Sequence, residues 1–88
     1  MELRKPRTNK AEILYTLLDK GEVSIMDFPN LSSFRTRVSD LKIKDNLPLI
    51  RDIKTKINKF GNTYSYAVHK LNPFHIRTAI NLYKEINK

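Results

Sequence analysis

Hydrophobic side chains recur at helical spacing near the start of the chain. The first stripe consists of Ala11, Leu14, Leu17 and Leu18. A repeat of three and four residues predicts an amphipathic helix. Thr8 or Asn9 is its expected N-cap, and Gly21 is its expected C-terminal stop.

A second helical repeat lies between residues 31 and 46. Phe34, Val38 and Leu41 stand at i, i+4 and i+7, so they share one face of a predicted helix over residues 33–45. Asn46 suits the left-handed position at its end, and the proline at position 48 prevents continuation. The residues turned away from the apolar face are short, polar or basic, as base readout requires.

The segment between these two helices predicts a short helix of its own. Val23 is expected to form a very short strand. Ser24 and Asp27 have the spacing of a capping box, which predicts a helix start at that point. Helix, short helix, turn and helix follow one another in the order of a helix-turn-helix.

Alternation at every second residue replaces the helical repeat after residue 48. Leu49 to Ile57 form one such run, and residues 64–68 form another, which predicts two strands. The Gly and Asn of segment 58–62 suit a hairpin loop, so we expect a hairpin over residues 50–68. Tyr64, Tyr66 and Val68 share one row, and we expect this row to face the core rather than to stack on bases.

Residues 72–88 predict a last helix, with Asn72 as cap and Pro73 at its first position. Its apolar stripe consists of Ile76, Ala79, Ile80, Tyr83 and Ile86. This stripe can dock on its own domain or pair with a second copy, and we expect a homodimer. The chain thus divides into a basic flexible arm (1–7), a domain (8–71) and a C-terminal helix (72–88).

Charge narrows the choice of partners. The chain of 88 residues has 17 Lys and Arg against 9 Asp and Glu, a net charge of +8. Such a field concentrates polyanions at the surface, and nucleic acid is the expected partner. Acidic proteins and anionic membranes remain alternatives on charge alone. No apolar run is long enough to cross a bilayer, and the basic start lacks the apolar segment of a secretory signal, so we expect no membrane partner.

Composition argues against an enzyme. The chain has no Cys and two Gly, which excludes thiol catalysis and Cys-based zinc sites and leaves no phosphate-cradling Gly loop. His69 and His75 have no metal-ligand partner at suitable spacing. There is no carboxylate pair or Ser-His-Asp set. We expect no catalysis, no cofactor and no metal, and a cytoplasmic location fits the lack of Cys.

Taken in order, these segments resemble a family of short winged helix-turn-helix proteins common in bacteriophages and prophages. The family's recognition helix carries Leu-x-x-Arg, then Ile or Val, then x-Asp-Leu, and residues 34–41 match it as Phe-Arg-Thr-Arg-Val-Ser-Asp-Leu. Phe34 replaces the usual Leu, and Asn46 replaces the usual Gly after the helix. The resemblance covers residues 8–71. It implies an α+β, mostly helical fold, namely three helices plus a β-hairpin wing, here with an additional C-terminal helix, and it implies double-stranded DNA as ligand.

The side chains that we expect to contact DNA are Arg4, Lys5, Arg7, Ser32, Ser33, Arg35, Thr36, Arg37, Ser39, Lys42, Lys54, Lys56, Asn58 and Lys59. Arg35 is the best candidate for a bidentate base contact. Arg37 is expected to be partly structural, paired with Asp40 or with a backbone carbonyl. We expect Ile43 to pack under the hairpin and Phe60 to fold back over it. We expect helix 33–45 to read the major groove and the lysines near the hairpin tip to contact the phosphate backbone or the minor groove. Lysines also protect edge strands from aggregation.

The sequence thus favours a sequence-specific DNA-binding regulator encoded by a phage or mobile element. Two alternatives stay open. One is an architectural, excisionase-like recombination accessory factor that bends DNA with the same surface. The other is a winged helix used as a protein-interaction module, which inhibits a host or rival-element protein.

Overall fold

A computed structural model describes residues 3–87. Within this range the chain forms a small α+β fold with three α-helices and a three-stranded antiparallel sheet, and it is roughly half helical. The elements in chain order are α1 (Asn9–Lys20), β1 (Glu22–Ser24), a 3-10 turn (Ile25–Asp27), α2 (Phe34–Ile43), β2 (Leu49–Ile57), β3 (Thr63–Leu71), a 3-10 turn (Pro73–His75) and α3 (Ile76–Ile86).

The ends of α1 follow the rules that predicted them. The Thr8 hydroxyl accepts a hydrogen bond from the Ala11 amide at 3.1 Å, so Thr8 rather than Asn9 is the cap. Gly21 closes the helix in the left-handed conformation, with φ of 81°. Asn46 adopts the same region after α2, with φ of 54°.

The predicted second helix is a single 3-10 turn, so the expected total of four helices is wrong. Ser24 and Asp27 do form the predicted capping box. However, Pro29 follows after one further residue, and the residue before a proline is disfavoured in the α conformation. The space between cap and proline is therefore too short for an α-helix. The protein therefore contains less helix than the mostly helical fold that we expected.

The hairpin pairs β2 with β3 from Leu49 opposite Leu71 to Ile57 opposite Thr63. β1 pairs with the other edge of β3, near its end, where Val23 lies opposite His69. Strand order is β1-β3-β2. Gly61, with φ of 82°, makes the turn at the tip.

The sheet has an inner and an outer face, which follow from the register because paired residues share a face and neighbours alternate. The inner face, which joins the core, carries Val23, Leu49, Arg51, Ile53, Thr55, Ile57, Thr63, Ser65, Ala67, His69 and Leu71. The outer face carries Glu22, Ser24, Ile50, Asp52, Lys54, Lys56, Tyr64, Tyr66, Val68 and Lys70.

The row of Tyr64, Tyr66 and Val68 lies on the outer face, so the prediction that it faces the core is wrong. Val68 is buried, but outside the main core, and the two tyrosines are half-buried. Their rings pair with centroids 6.2 Å apart. Alternation predicted the row correctly, but the opposite row, which ends in Leu71, packs on the helices.

The core lies between the helices and the inner face. It comprises Ala11, Ile13, Leu14, Leu17, Val23, Phe34, Val38, Leu41, Leu47, Leu71, Ala79 and Tyr83. The three residues chosen as the buried face of α2 are all buried, at 2% exposure or less. The outward direction of the other α2 side chains is fixed by this packing.

α3 docks on its own domain. Ala79 and Tyr83 are buried at 0% and 1% exposure, and the Tyr83 ring lies 5.8 Å from that of Tyr15 in α1. These two residues are therefore unavailable to a second copy, which corrects their assignment to a dimer interface. The reason is that the apolar surface of α1 extends through Ile13, at the border of the predicted stripe, to Tyr15, which lies beyond it. Ile86 also packs on the core, Ile80 is half-buried and Ile76 is exposed.

The predicted arm is attached to the end of α3. The Tyr83 hydroxyl donates a hydrogen bond to the backbone carbonyl of Arg4. The side-chain amide of Asn87 donates to the backbone carbonyl of Lys5 at 3.0 Å. The Arg7 amide donates to Asn87 Oδ1 at 2.8 Å. Residues 4–7 thus follow the domain surface instead of extending from it. The first two residues of the predicted arm, and Lys88 of the predicted helix, lie outside the described range.

Candidate nucleic-acid interface

One side of α2 combines basic and hydroxyl side chains. Arg35, Ser39 and Lys42 are spaced at i, i+4 and i+7, so they share a side of the helix next to its buried face. Arg35 and Ser39 are exposed, and Lys42 is half-buried. Thr36 in α2 and Ser32, which precedes the helix, are exposed, as predicted.

This side of α2 borders the inner face of the hairpin, and the two enclose a groove of about 350 Å³. The groove is lined by Arg35, Val38, Ser39 and Lys42 from α2, Arg51 from β2, and Ala67 and His69 from β3. We call it the α2–hairpin groove. It brings three predicted contact residues (Arg35, Ser39, Lys42) together with two that were not predicted (Arg51, His69).

Arg51 and His69 were missed although the sequence held a signal for Arg51. It stands two residues after Leu49 in the same strand row, and a strand row faces one side. Since Leu49 packs against the core on which α2 also lies, Arg51 emerges beside α2. The position of His69 opposite Arg51 follows only from the pairing of β2 with β3, so no local sequence signal places His69 in the groove.

The cations of the groove have no carboxylate partner among the described residues. Arg35, Lys42 and Arg51 form no ion pair there. The ion pairs lie elsewhere: Lys10–Asp45, Lys20–Asp27, Arg37–Asp40, Lys44–Asp40, Lys54–Glu22 and Lys70–Asp52. Three unneutralised charges around one concave surface give a positive potential that attracts anions.

The groove also sets the charge of His69. Its ring is half-buried, with its centroid 6.4 Å from that of Phe34. Burial, and then the charges of Lys42 and Arg51, lower the pKa of His69 below its ordinary value. The imidazole is therefore neutral at pH 7 in the protein without a ligand.

Two of the predicted wing contacts lie on the outer face. Lys54 and Lys56 follow Arg51 by odd numbers of residues, so they point away from α2. Lys54 Nζ is 3.0 Å from Glu22 Oε2, and this hydrogen bond raises the pKa of Lys54. The register therefore separates these two lysines from the α2–hairpin groove, and their contact with the phosphate backbone or the minor groove stays a prediction.

The hairpin tip also differs from expectation. The Asn58 side-chain oxygen accepts hydrogen bonds from the Phe60 and Asn62 amides at 2.9 and 3.0 Å, so this group shapes the loop. Phe60 is 77% exposed and does not fold back over the hairpin. Lys59 Nζ lies 5.2 Å from the centre of the Phe60 ring, in a cation–π contact.

Arg37 lies on the other side of α2. As predicted, it pairs with Asp40, at 3.5 Å. It lines a second shallow pocket together with Ile86 and residues 7–10, the last part of the predicted arm among them. The side chains of Arg4 and Lys5 are exposed.

Two further residues near the helix ends have specific outcomes. Ser33 holds the N-cap position of α2, is half-buried, and makes no capping hydrogen bond through its side chain. Ile43 is 72% exposed, so the prediction that it packs under the hairpin is wrong. α2 ends at this residue, two short of the predicted end.

Comparison of the chain with protein-family models, curated proteins and solved structures gave no match. The resemblance to winged helix-turn-helix proteins therefore stays a prediction. None of the helices described is long and apolar enough to cross a membrane. Within residues 3–87, no three side chains of the metal-binding types His, Cys, Asp and Glu are grouped as a metal ion requires.

Proposed function

We propose that this protein binds double-stranded DNA sequence-specifically, as a transcription regulator with a winged helix-turn-helix architecture. In this proposal α2 enters the major groove and presents Arg35, Thr36 and Ser39 to base edges. The hairpin follows the adjacent backbone with its inner face, through Arg51. This differs from the sequence-based hypothesis, in which Lys54, Lys56, Asn58 and Lys59 contact the backbone or the minor groove.

The observation that carries the proposal is the set of unpaired cations in the α2–hairpin groove. The chain has nine Asp and Glu residues, and none of those within the described range lines this groove. The groove therefore attracts anions. Arg35 and Lys42 stand beside hydroxyl groups on the same helix, which suits mixed contacts to bases and phosphates.

The order of the elements supports the winged-helix interpretation. α1, the 3-10 turn and α2 occupy the places of three successive helices, and the β2–β3 hairpin follows α2 directly. The middle helix is reduced to one turn. Even so, α2 is packed through its apolar face and exposes its polar side, as a recognition helix must.

Selection from a random DNA library, followed by binding measurements on the recovered sequence at several salt concentrations, tests the proposal. We expect one motif and an affinity that falls steeply with salt. Arg35→Ala should relax the preference for that motif. Arg77→Ala, which removes the same charge from an exposed site on α3, should preserve it. Recovery of no motif together with weak binding to any duplex would contradict the proposal.

A second candidate is an architectural protein that bends DNA, and the exposed tip favours it. Phe60 is 77% exposed and Ile57 is 68% exposed at the end of the hairpin. Proteins that kink DNA insert such apolar side chains between base steps. Energy transfer between the ends of a labelled duplex should report a bend that Phe60→Ala removes. Phe74→Ala, a matched change at a 91% exposed site outside the hairpin, should leave the bend unchanged.

A further inference from the structure

His69 holds a polar atom that the fold does not use. Its Nδ1 is buried and has no hydrogen-bond partner among the described residues. Buried polar atoms are nearly always paired with protein, water or a ligand, so an unpaired one in a residue that lines the α2–hairpin groove calls for an explanation. The ring belongs to the middle strand, between Val23 on one side and Arg51 on the other.

Within residues 3–87, the charged side chains that line the groove around His69 are all positive. Lys42 and Arg35 approach the groove from α2, and Arg51 approaches it from β2. β1 contributes Val23 opposite the ring, which carries no charge. Ser39 adds a hydroxyl group to the lining. A neutral imidazole among three cations and a hydroxyl offers hydrogen bonds and charge to an anion with several oxygens.

We propose that the α2–hairpin groove is a phosphate-binding site, which seats one backbone phosphate of the nucleic acid between Lys42, Arg51 and His69. This inference rests on the proposed function. It places one of the phosphate contacts inside the groove and not on the open surface of α2. A phosphodiester in a polynucleotide and free inorganic phosphate share the chemistry that the groove recognises.

Proton uptake is the consequence that distinguishes this site from an ordinary phosphate contact. A phosphate placed beside His69 adds a negative charge where only positive charges now act. That charge favours the imidazolium form and opposes the effects of Lys42 and Arg51. DNA binding therefore takes up a proton at His69. By linkage, affinity must rise as the pH falls through the pKa that His69 has in the complex.

The test follows the His69 ring by NMR in the chain of 88 residues, in buffer without phosphate, with and without a duplex. We expect the pKa of His69 to rise when the duplex is added, while the signals of His75 serve as the internal control. Duplex affinity should rise several-fold from pH 7.5 to 6, and by at most about tenfold per pH unit, because one proton is bound. His69→Gln should abolish this pH dependence, and His75→Gln should retain it.

The possible failures are separable. If a duplex binds and the titration of His69 is unchanged, the groove proposal is overturned and DNA binding stands. If no duplex binds, the proposed function fails, and inorganic phosphate becomes the probe. A rise in the pKa of His69 with millimolar phosphate would then support a site for free phosphate. No response to either probe overturns the inference. The NMR titration uses the unmodified protein, so these outcomes do not depend on whether a variant folds.

Discussion

The inner and outer faces of the sheet use charge in different ways. On the outer face, Lys54 pairs with Glu22 at 3.0 Å and Lys70 pairs with Asp52 at 3.2 Å. On the inner face, Arg51 has no carboxylate partner among the described residues and lies in a groove with two further cations from α2. One strand thus carries basic residues of two kinds, three positions apart.

This difference shows that net charge does not indicate which basic residues lack a carboxylate partner. The excess of eight positive charges says that anions are attracted, but not where they bind. Lys54 and Lys70 each have a carboxylate nearby that offsets their charge, while Arg51 has none among the described residues. The hydrophobic row decides between them, because it determines which side of the strand lies beside α2.

The largest expected difference between the faces is in stability. Leu71→Ala, on the inner face, removes a core side chain that is 7% exposed and should reduce the free energy of unfolding by about 2 to 4 kcal/mol. Tyr66→Ala, on the outer face, removes a half-buried ring outside the core and should have a smaller effect, because it returns part of a ring to water without leaving a cavity in the core. Urea denaturation measures both. An equal or larger loss for Tyr66→Ala would place the main core on the wrong face.

Next in size is the effect of charge removal on DNA affinity. The double variant Lys42→Gln/Arg51→Gln should weaken duplex binding by about a hundredfold, because each charge-assisted contact contributes about 1.5 kcal/mol. It should also reduce the slope of log affinity against log salt by roughly 2. Fluorescence anisotropy over a salt series gives both quantities.

The matched control removes two charges from the outer face, as Lys54→Gln/Lys70→Gln. Affinity should then change little, and the salt slope should remain close to that of the unmodified protein. Equal losses for the two double variants would mean that the whole sheet acts as a diffuse cation, and the distinction between the faces would not hold.

A smaller effect is expected on the pH dependence of folding. The pKa of His69 is lowered in the folded state, while in the unfolded chain it returns to about 6.5. As the pH falls through that value, the unfolded chain takes up a proton that the folded protein does not, so stability falls. His69→Gln should remove this part of the loss on acidification, as measured by denaturation between pH 8 and 5. A steeper loss in the variant would mean that folding raises the pKa of His69 instead of lowering it.

Much of the fold was predictable because local rules fixed it. The capping box at Ser24, the left-handed Gly21 and Asn46, and the hairpin loop each depend on residues close in sequence. The buried face of α2 was predictable for the same reason, since Phe34 and its partners repeat within one helix. These features needed no knowledge of which elements meet.

The predictions for the sheet and for α3 were wrong because they depend on which elements pack against each other, and local sequence patterns do not determine this. The strand rows were correct, but which row faces α2 depends on the packing of Leu71. Tyr66 was therefore placed on the wrong face, and Arg51 was not recognised as a neighbour of α2. The fate of α3 depended likewise on Tyr15, whose side of α1 was not counted as apolar. The candidate site was therefore predictable in α2 and not in the sheet.

The smallest effect should follow from breaking a single outer-face ion pair, and this makes it a sensitive test of orientation. Glu22→Gln leaves Lys54 in place and removes its partner. If Lys54 faced the DNA, its released charge would strengthen binding. Because it lies on the face turned away from α2, we expect duplex affinity to stay unchanged within error, and thermal stability likewise, since exposed ion pairs contribute little. Lys54→Gln should leave both quantities unchanged as well. A gain in affinity for Glu22→Gln, matched by a loss for Lys54→Gln, would show that the outer face also contacts the duplex.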